Sequence, residues 1–201
     1  KVVLNGIDRD LFRRSSRDEA REVIGISAGA EVILFAGNLR KGKGASLLVE
    51  AFRRLERPEA QLHIIGEGPE RSRLEGQIAS SGVKKRIFLH GRVDHGEMAR
   101  WYNSCDIFCL PSLAEGTPNV ILEALACSVP VVASSTGGIP DIVDAESGLL
   151  FPPGELSPLA RAIGEALDRE WDRDRIKCPS GSWQENASEL SGIFASLSGI
   201  D

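Results

Sequence analysis

The sequence predicts an α/β fold, a Rossmann-like parallel sheet flanked by helices. Three observations carry that expectation. Short runs rich in β-branched residues alternate with longer stretches of helical periodicity, the pattern of βα units feeding a parallel sheet. Several of the short runs, Val-Ile-Leu-Phe-Ala at 32–36 and Val-Pro-Val-Val-Ala at 129–133 among them, are apolar almost throughout, as strands covered on both faces are. The chain has 201 residues, 42% of them apolar, enough for one substantial core.

Taken in order, residues 1–12 hold one short apolar run followed by polar turn residues. They are expected as a linker outside the core, ahead of a domain spanning 13–201. Ser16-Arg17-Asp18-Glu19 is a capping box, in which the hydroxyl and the carboxylate can each satisfy an orphan amide at a helix start. Strands are expected at 32–36, 62–65, 86–89, 107–110, 129–133 and 149–151. Between them, 45–55, 70–80, 96–103 and 119–126 read as crossover helices, with Leu47, Leu48, Ala51, Phe52 and Leu55 at helical spacing. Pro152-Pro153 closes the βα series, and 158–167 and 183–197 read as terminal helices separated by a charged loop.

The net charge of −5 argues against a nucleic-acid or membrane-surface role, since phosphate-backbone binding needs a basic field over the docking face. No stretch approaches the length of an apolar membrane span, and the opening Lys-Val-Val-Leu-Asn-Gly lacks the features of a secretory signal. A cytoplasmic domain without a transmembrane segment is expected. Cys105, Cys109, Cys127 and Cys178 show no CxxC spacing and are expected as small hydrophobes rather than as metal ligands or disulfides. Asn186-Ala187-Ser188 matches a glycosylation triplet, which arises often by chance and is discounted in a cytosolic chain.

In an open parallel sheet, ligands bind beyond the carboxyl ends of the strands, where helix N-termini present unpaired amides. Four loops lie there. The first, Gly37-Asn38-Leu39-Arg40-Lys41-Gly42-Lys43-Gly44, lets the backbone approach an anion and places Lys43 just before a helix. A lysine about 4 Å from a phosphate charge is worth roughly 4 kcal/mol at an effective dielectric near 20, against about 0.3–1 kcal/mol for the helix end, so Lys43 ranks first. The loop is not a P-loop, because Gly44 stands where Ser or Thr is required. The second, Gly66-Glu67-Gly68-Pro69, reads equally as a tight strand-to-helix turn or as a ligand-facing loop.

The third loop, 111–119, runs into a helix whose first position is assigned to Pro118, leaving Glu115 in the loop and Glu123 about a turn and a half into the helix. Glu123 lies in an apolar run and therefore needs a partner; a pair of sugar hydroxyls or a buried lysine or arginine would serve. The fourth loop carries Gly137-Gly138, suited either to close backbone approach or simply to turning.

With these loops in order, the chain resembles the C-terminal half of the retaining GT-B glycosyltransferases called family 4, or glycosyl transferases group 1. The resemblance rests on Asn5-Gly6-Ile7-Asp8 with Phe12, Gly37-Asn38-Leu39 through Lys43-Gly44, and Gly66-Glu67-Gly68-Pro69. It continues through Pro111-Ser112 with Glu115 and Glu123 separated by seven residues, Pro130-Val131-Val132-Ala133, Gly137-Gly138, and Trp183 with Ala187. It implies that residues 1–12 are interdomain and that 13–201 bind a nucleotide-diphosphate sugar. Lys43 would neutralise the donor diphosphate, Glu115 contact the transferred sugar and Glu123 hold the ribose, with Lys43 and Glu115 as the catalytic pair. The Gly37-Asn38 loop, Gly116, and the amides of Thr117, Asn119 and Val120 would meet phosphate or sugar, and backbone near Arg92 and Val93 would hold the base. No tightly bound metal is implied, and the acceptor, a glycan or lipid-linked sugar, would come through an N-terminal domain. Cell-envelope or exopolysaccharide assembly is the setting that the family's breadth suggests.

Three departures from the family pattern stand out: Asn38 where arginine is usual, with Arg40 and Lys41 as nearby substitutes; Ser128 where glycine is common; and Asp141 for a frequent glutamate. Two other readings share this architecture, a GT-B-fold nucleotide-sugar epimerase and a degenerate association domain without catalysis.

Overall fold

A computed structural model describes residues 3–198. The alternation in the sequence resolves into β1 (Glu31–Ala36), β2 (Ala60–Ile65), β3 (Ile87–Gly91), β4 (Ile107–Leu110), β5 (Val131–Ser134) and β6 (Gly148–Phe151). The helices are α1 (Arg17–Ile24), α2 (Ala45–Arg53), α3 (Arg71–Ala79), α4 (His95–Ser104), α5 (Asn119–Ala126), α6 (Leu156–Asp168) and α7 (Trp183–Ser198). Every strand pair is parallel, in the order β3-β2-β1-β4-β5-β6. In this doubly wound order the chain leaves one side of β1 and returns on the other at β4, which opens a crevice beyond the carboxyl ends of those two strands.

Burial follows from the strand order. β4 and β5 are buried at every residue and β1 at all but its first, as central parallel strands with helices on both faces must be. The edge strands are less covered, β3 exposing Phe88 and His90 in alternation and β6 exposing Leu150. Two strands begin later than expected. Pro130 has no N–H to enter the ladder, so β5 starts at Val131, whose amide donates to Ser147 O at 2.9 Å. Arg86 belongs to a short 3-10 turn, its guanidinium tied to the carbonyls of Arg57 and Ala60.

Helix ends explain two local choices. Ser16 caps α1, its Oγ accepting from Glu19 N at 3.3 Å, and Gly25 closes it in the left-handed region. At the end of α5, Ser128 N donates to Leu125 O and Val129 N to Ala124 O, a Schellman motif in which Ser128 holds φ +57°. Glycine is the residue this position favours, because a Cβ there costs about 1–2 kcal/mol.

The expectation that residues 1–12 lie outside the core requires correction. Ile7 and Phe12 are 3% and 2% exposed and belong to the core cluster, and Leu4 and Leu11 pack against it. The covering surface comes from the other end of the chain. Ile7 N donates to Gly181 O at 3.1 Å, Ser180 Oγ donates to Asn5 O, and Asn186 Nδ2 donates to Leu4 O. A reciprocal capping box between Ser182 and Glu185 starts α7 and orients that arm. Asn186, the first residue of the discounted triplet, is therefore a structural anchor.

Candidate functional site

The crevice at the switch between β1 and β4 is built by loops that lie directly on one another. After β1 the chain runs through a 3-10 turn at Lys41–Lys43 to Gly44, which takes φ +74°. A Cβ on Gly44 would lie 2.0 Å from Pro111 O, so only glycine lets this loop rest on the β4–α5 loop, where Leu113 N donates to Gly42 O at 2.8 Å. That contact brings Lys43 Nζ to 2.7 Å from Glu115 Oε1 across the crevice, the carboxylate side chain 9% exposed and the lysine 31%.

Both the second and the fourth loop make close contacts within the chain, and Gly66 and Glu67 of the second also line the cleft beside α5. Leu39 N donates to Glu67 O and Glu70 N to Leu39 O, so the turn at 66–70 braces the Lys43 loop. Gly137, at φ +56°, would bring a Cβ 1.9 Å from Glu115 O, and Gly138 N donates to Gly116 O at 2.9 Å. The close approach these glycines permit is to the protein's own backbone, which fixes the peptide carrying Glu115.

Pro118 is the N-cap of α5 rather than its first helical residue, in extended conformation at ψ 120°, and Asn119 opens the helix. Among the described residues, the amides of Gly116, Thr117, Asn119 and Val120 donate to no protein acceptor. The Asn119 side chain accepts from Asn5 Nδ2 at 3.0 Å, so the N-terminal stretch reaches this helix start.

Beside this start lies a cleft of about 470 Å³. It brings together Gly37, Asn38, Arg92, Val93, Val120 and Glu123 from the sequence-derived set, and adds His95, Met98 and Tyr102. Glu123 is buried, and its partners are neither lysine nor arginine: Tyr102 Oη donates to its Oε2 at 2.8 Å, and His95 Nε2 lies 3.3 Å from its Oε1. Burial, together with the charge of Glu123, pushes the Tyr102 phenol well above its ordinary range, so it stays a donor. Phe12 stands edge-on to both rings, 5.1 Å from His95 and 5.9 Å from Tyr102, and completes the wall behind the carboxylate. Sequence reasoning missed these two partners, although their spacing of seven residues, two turns along α4, places them on one helix face.

Lys43, Glu115, Gly116, Thr117 and Asn119 do not line the cleft; they form the adjoining loop and helix start. Arg40 and Lys41, the nearby cations offered as substitutes for the arginine absent at position 38, line a separate groove between α2 and α3. The cation that shares the cleft with Asn38 is Arg92. The loop geometry explains the divergence, because the 3-10 turn at 41–43 carries Arg40 and Lys41 toward α2.

Cys105, Cys109 and Cys127 are buried thiols whose pKa burial raises, that of Cys127 to about 12. Among the described residues no group of three His, Cys, Asp or Glu side chains is placed to hold a metal ion, and no helix is long and apolar enough to cross a membrane.

Comparison with known proteins bears on this arrangement. Residues 16–178 match the family described as glycosyl transferases group 1. A D-inositol 3-phosphate glycosyltransferase of Mycobacteroides abscessus is 33% identical over 204 residues, covering 96% of this chain and 45% of that protein. Sucrose-phosphate synthase from Thermosynechococcus elongatus superposes with a TM-score of 0.86 at 26% identity, over 100% of this chain and 53% of that one. The C-terminal domain of a glycosyl transferase group 1 family protein from Francisella tularensis superposes with a TM-score of 0.73 at 26% identity, over 92% of this chain and 98% of that domain. The chain spans about half the length of the curated relatives it matches. It belongs to the glycosyl transferases group 1 family and has the fold of the C-terminal domain of a GT-B glycosyltransferase.

Proposed function

We propose that this chain holds the nucleotide-diphosphate-sugar donor of a retaining glycosyltransferase, and that the acceptor is supplied by a further N-terminal domain. The observation that carries the reading is the Lys43–Glu115 pair at 2.7 Å, set at the switch point beside four amides with no protein acceptor. A diphosphate is an anion that both a lysine and an amide-lined helix start attract. Glu115, held by its loop contacts, would release Lys43 to the phosphates and turn its own acceptor oxygens to the sugar hydroxyls.

Glu123 fits the ribose role because its chemistry is incomplete. A carboxylate offers about four lone-pair sites, and Tyr102 and His95 occupy two, leaving room for the two vicinal hydroxyls of a ribose. Val93 and the backbone beside Arg92 line the same cleft, where a base would lie, and the Arg92 guanidinium supplies the second cation that position 38 lacks. As the bond to the sugar breaks, negative charge grows on the departing nucleoside diphosphate. Lys43 and the α5 start are fixed groups aimed at that charge, so no metal is required by this reading.

Calorimetric titration with uridine, guanosine and adenosine diphosphates and their sugar conjugates tests the reading. One nucleotide series should bind, and Lys43→Ala and Glu123→Ala should each weaken it by about tenfold or more, the loss of one charge-assisted contact. Binding that neither substitution changes would overturn it.

A further inference from the structure

At the opposite end of the sheet, below the amino ends of β1 and β4, lies a second polar cavity of about 340 Å³. β1 is six residues long, which puts this cavity roughly 20 Å from the Lys43 crevice at about 3.3 Å per residue. Four arginines line it, Arg17, Arg21, Arg169 and Arg173, against two carboxylates, Glu31 and Asp106. In a chain of net charge −5 this is a local excess of positive charge.

Both carboxylates are already engaged, and two carboxylates against four arginines leave the excess in place. Glu31 is engaged by Arg57 at 2.7 Å. Asp106 already accepts from Arg17 at 2.7 Å, from Arg21 at 2.8 Å and from Val32 N at 2.7 Å. Arg21 is buried and engages all three of its nitrogens, donating to Ser104 O, Ala28 O and Asp106 Oδ2, so its role is structural.

The other three guanidiniums are underused. Arg17 donates through Nη1 alone, to Asp106. Arg169 donates through Nη2 alone, to Ala145 O, and lies over the Trp171 ring at 4.0 Å. Arg173 donates through Nη2 alone, to Cys105 O and Asp106 O, and among the described residues has no carboxylate partner of its own. A guanidinium carries five N–H donors, so each has donors to spare. Burial first, and then repulsion from Arg17 and Arg14, lower the pKa of Arg173, while the charge of Asp106 opposes the shift.

We propose that Arg17, Arg169 and Arg173 form a binding site for a small phosphate-bearing polyanion, separate from the crevice at the carboxyl ends of the strands. Planar guanidiniums with free donors pair bidentately with phosphate oxygens, and the cavity is of the size that takes a small ligand. Asp106 and Arg21 form its floor. Trp171, whose indole Nε1 donates to Ala166 O, forms a wall and acts as a reporter through its contact with Arg169.

The test is a titration of the chain with inorganic pyrophosphate at ionic strength held constant with sodium chloride, read by the indole N–H resonance of Trp171. That resonance is assigned by its absence in Trp171→Phe. It should shift saturably with a midpoint below about 1 mM, and Arg17→Gln or Arg173→Gln should raise that midpoint by about tenfold, the loss of one charge-assisted bidentate contact. Lys43→Ala should leave it unchanged, which separates this site from pyrophosphate bound at the crevice. Arg169→Gln, at an exposed position, tests the site without touching the strand ends and should raise the midpoint by about threefold or more. An indole resonance that stays still up to about 10 mM, or moves with the same midpoint in the arginine variants, or responds to Lys43→Ala alone, would overturn the proposal.

Discussion

Glu123 shows what a single residue can reveal before and after folding. Its place in an apolar run required a partner, and the partner is Tyr102, fully buried and donating at 2.8 Å. Tyr102→Phe keeps the ring and removes the donor, leaving a buried carboxylate one bond short. Urea unfolding should show a loss of about 1.5–3 kcal/mol, the range for a hydrogen bond to a charged group. A second residue carries a pH dependence. His63 is buried on β2, its Nδ1 2.9 Å from His90 Nε2 and its Nε2 3.1 Å from Gln61 Oε1, with Phe88 stacked on its face. Burial first, and His90 second, lower its pKa from 6.5 to about 3. Below pH 6.5 the unfolded chain takes up a proton that folded His63 refuses until near pH 3. Stability contributed by the neutral ring is therefore complete above pH 6.5 and lost as pH falls through that window, by at most about 4–5 kcal/mol. Urea midpoints measured from pH 7 to pH 4 should fall, and fall less steeply in His63→Phe.

At the scale of elements, the candidate site is assembled by loops whose backbones touch. Lys43 meets Glu115 only because Gly44 admits Pro111 O, and Glu115 is held only because Gly137 admits its carbonyl. The glycines were plain in the sequence, but which backbone each one faced was not, since glycine marks a permissive position without naming the neighbour. The end of α5 is the converse case. Ser128 occupies a left-handed position at φ +57° that glycine fills without strain. Ser128→Gly should stabilise the chain by about 0.5–1 kcal/mol, relief of the Cβ clash less the extra entropy glycine loses on folding. A calorimetric Tm about 1–4 °C higher would bear this out, and a lower one would mean the serine makes a compensating contact.

For the whole molecule, the two ends of the chain are one structural unit. Residues 4–12 are covered by the arm at 178–186, and Phe12 supports both partners of Glu123. Phe12→Ala should cost about 3–5 kcal/mol, the range for truncating a buried phenylalanine, and lower the Tm by about 10 °C. It should also weaken the nucleotide binding proposed for the cleft, because the wall behind His95 and Tyr102 opens. Val23→Ala, at an exposed position on α1, is the control that should do neither.

The strands, the crossover helices and their succession along the chain were legible in the residues, because apolar periodicity and β-branched runs are local properties that survive in any conformation. Lys43, Glu115 and Glu123 were legible too, since charge beside glycine at a strand end, or charge inside an apolar helix, is conspicuous in one dimension. The strand order, the burial of Ile7 and Phe12, the pairing of Tyr102 and His95 with Glu123, and the gathering of Arg17, Arg169 and Arg173 depended on segments as much as 175 residues apart. Contacts over such separations leave no periodic trace along a chain. They exist only once the sheet has brought those segments to the same end of the fold.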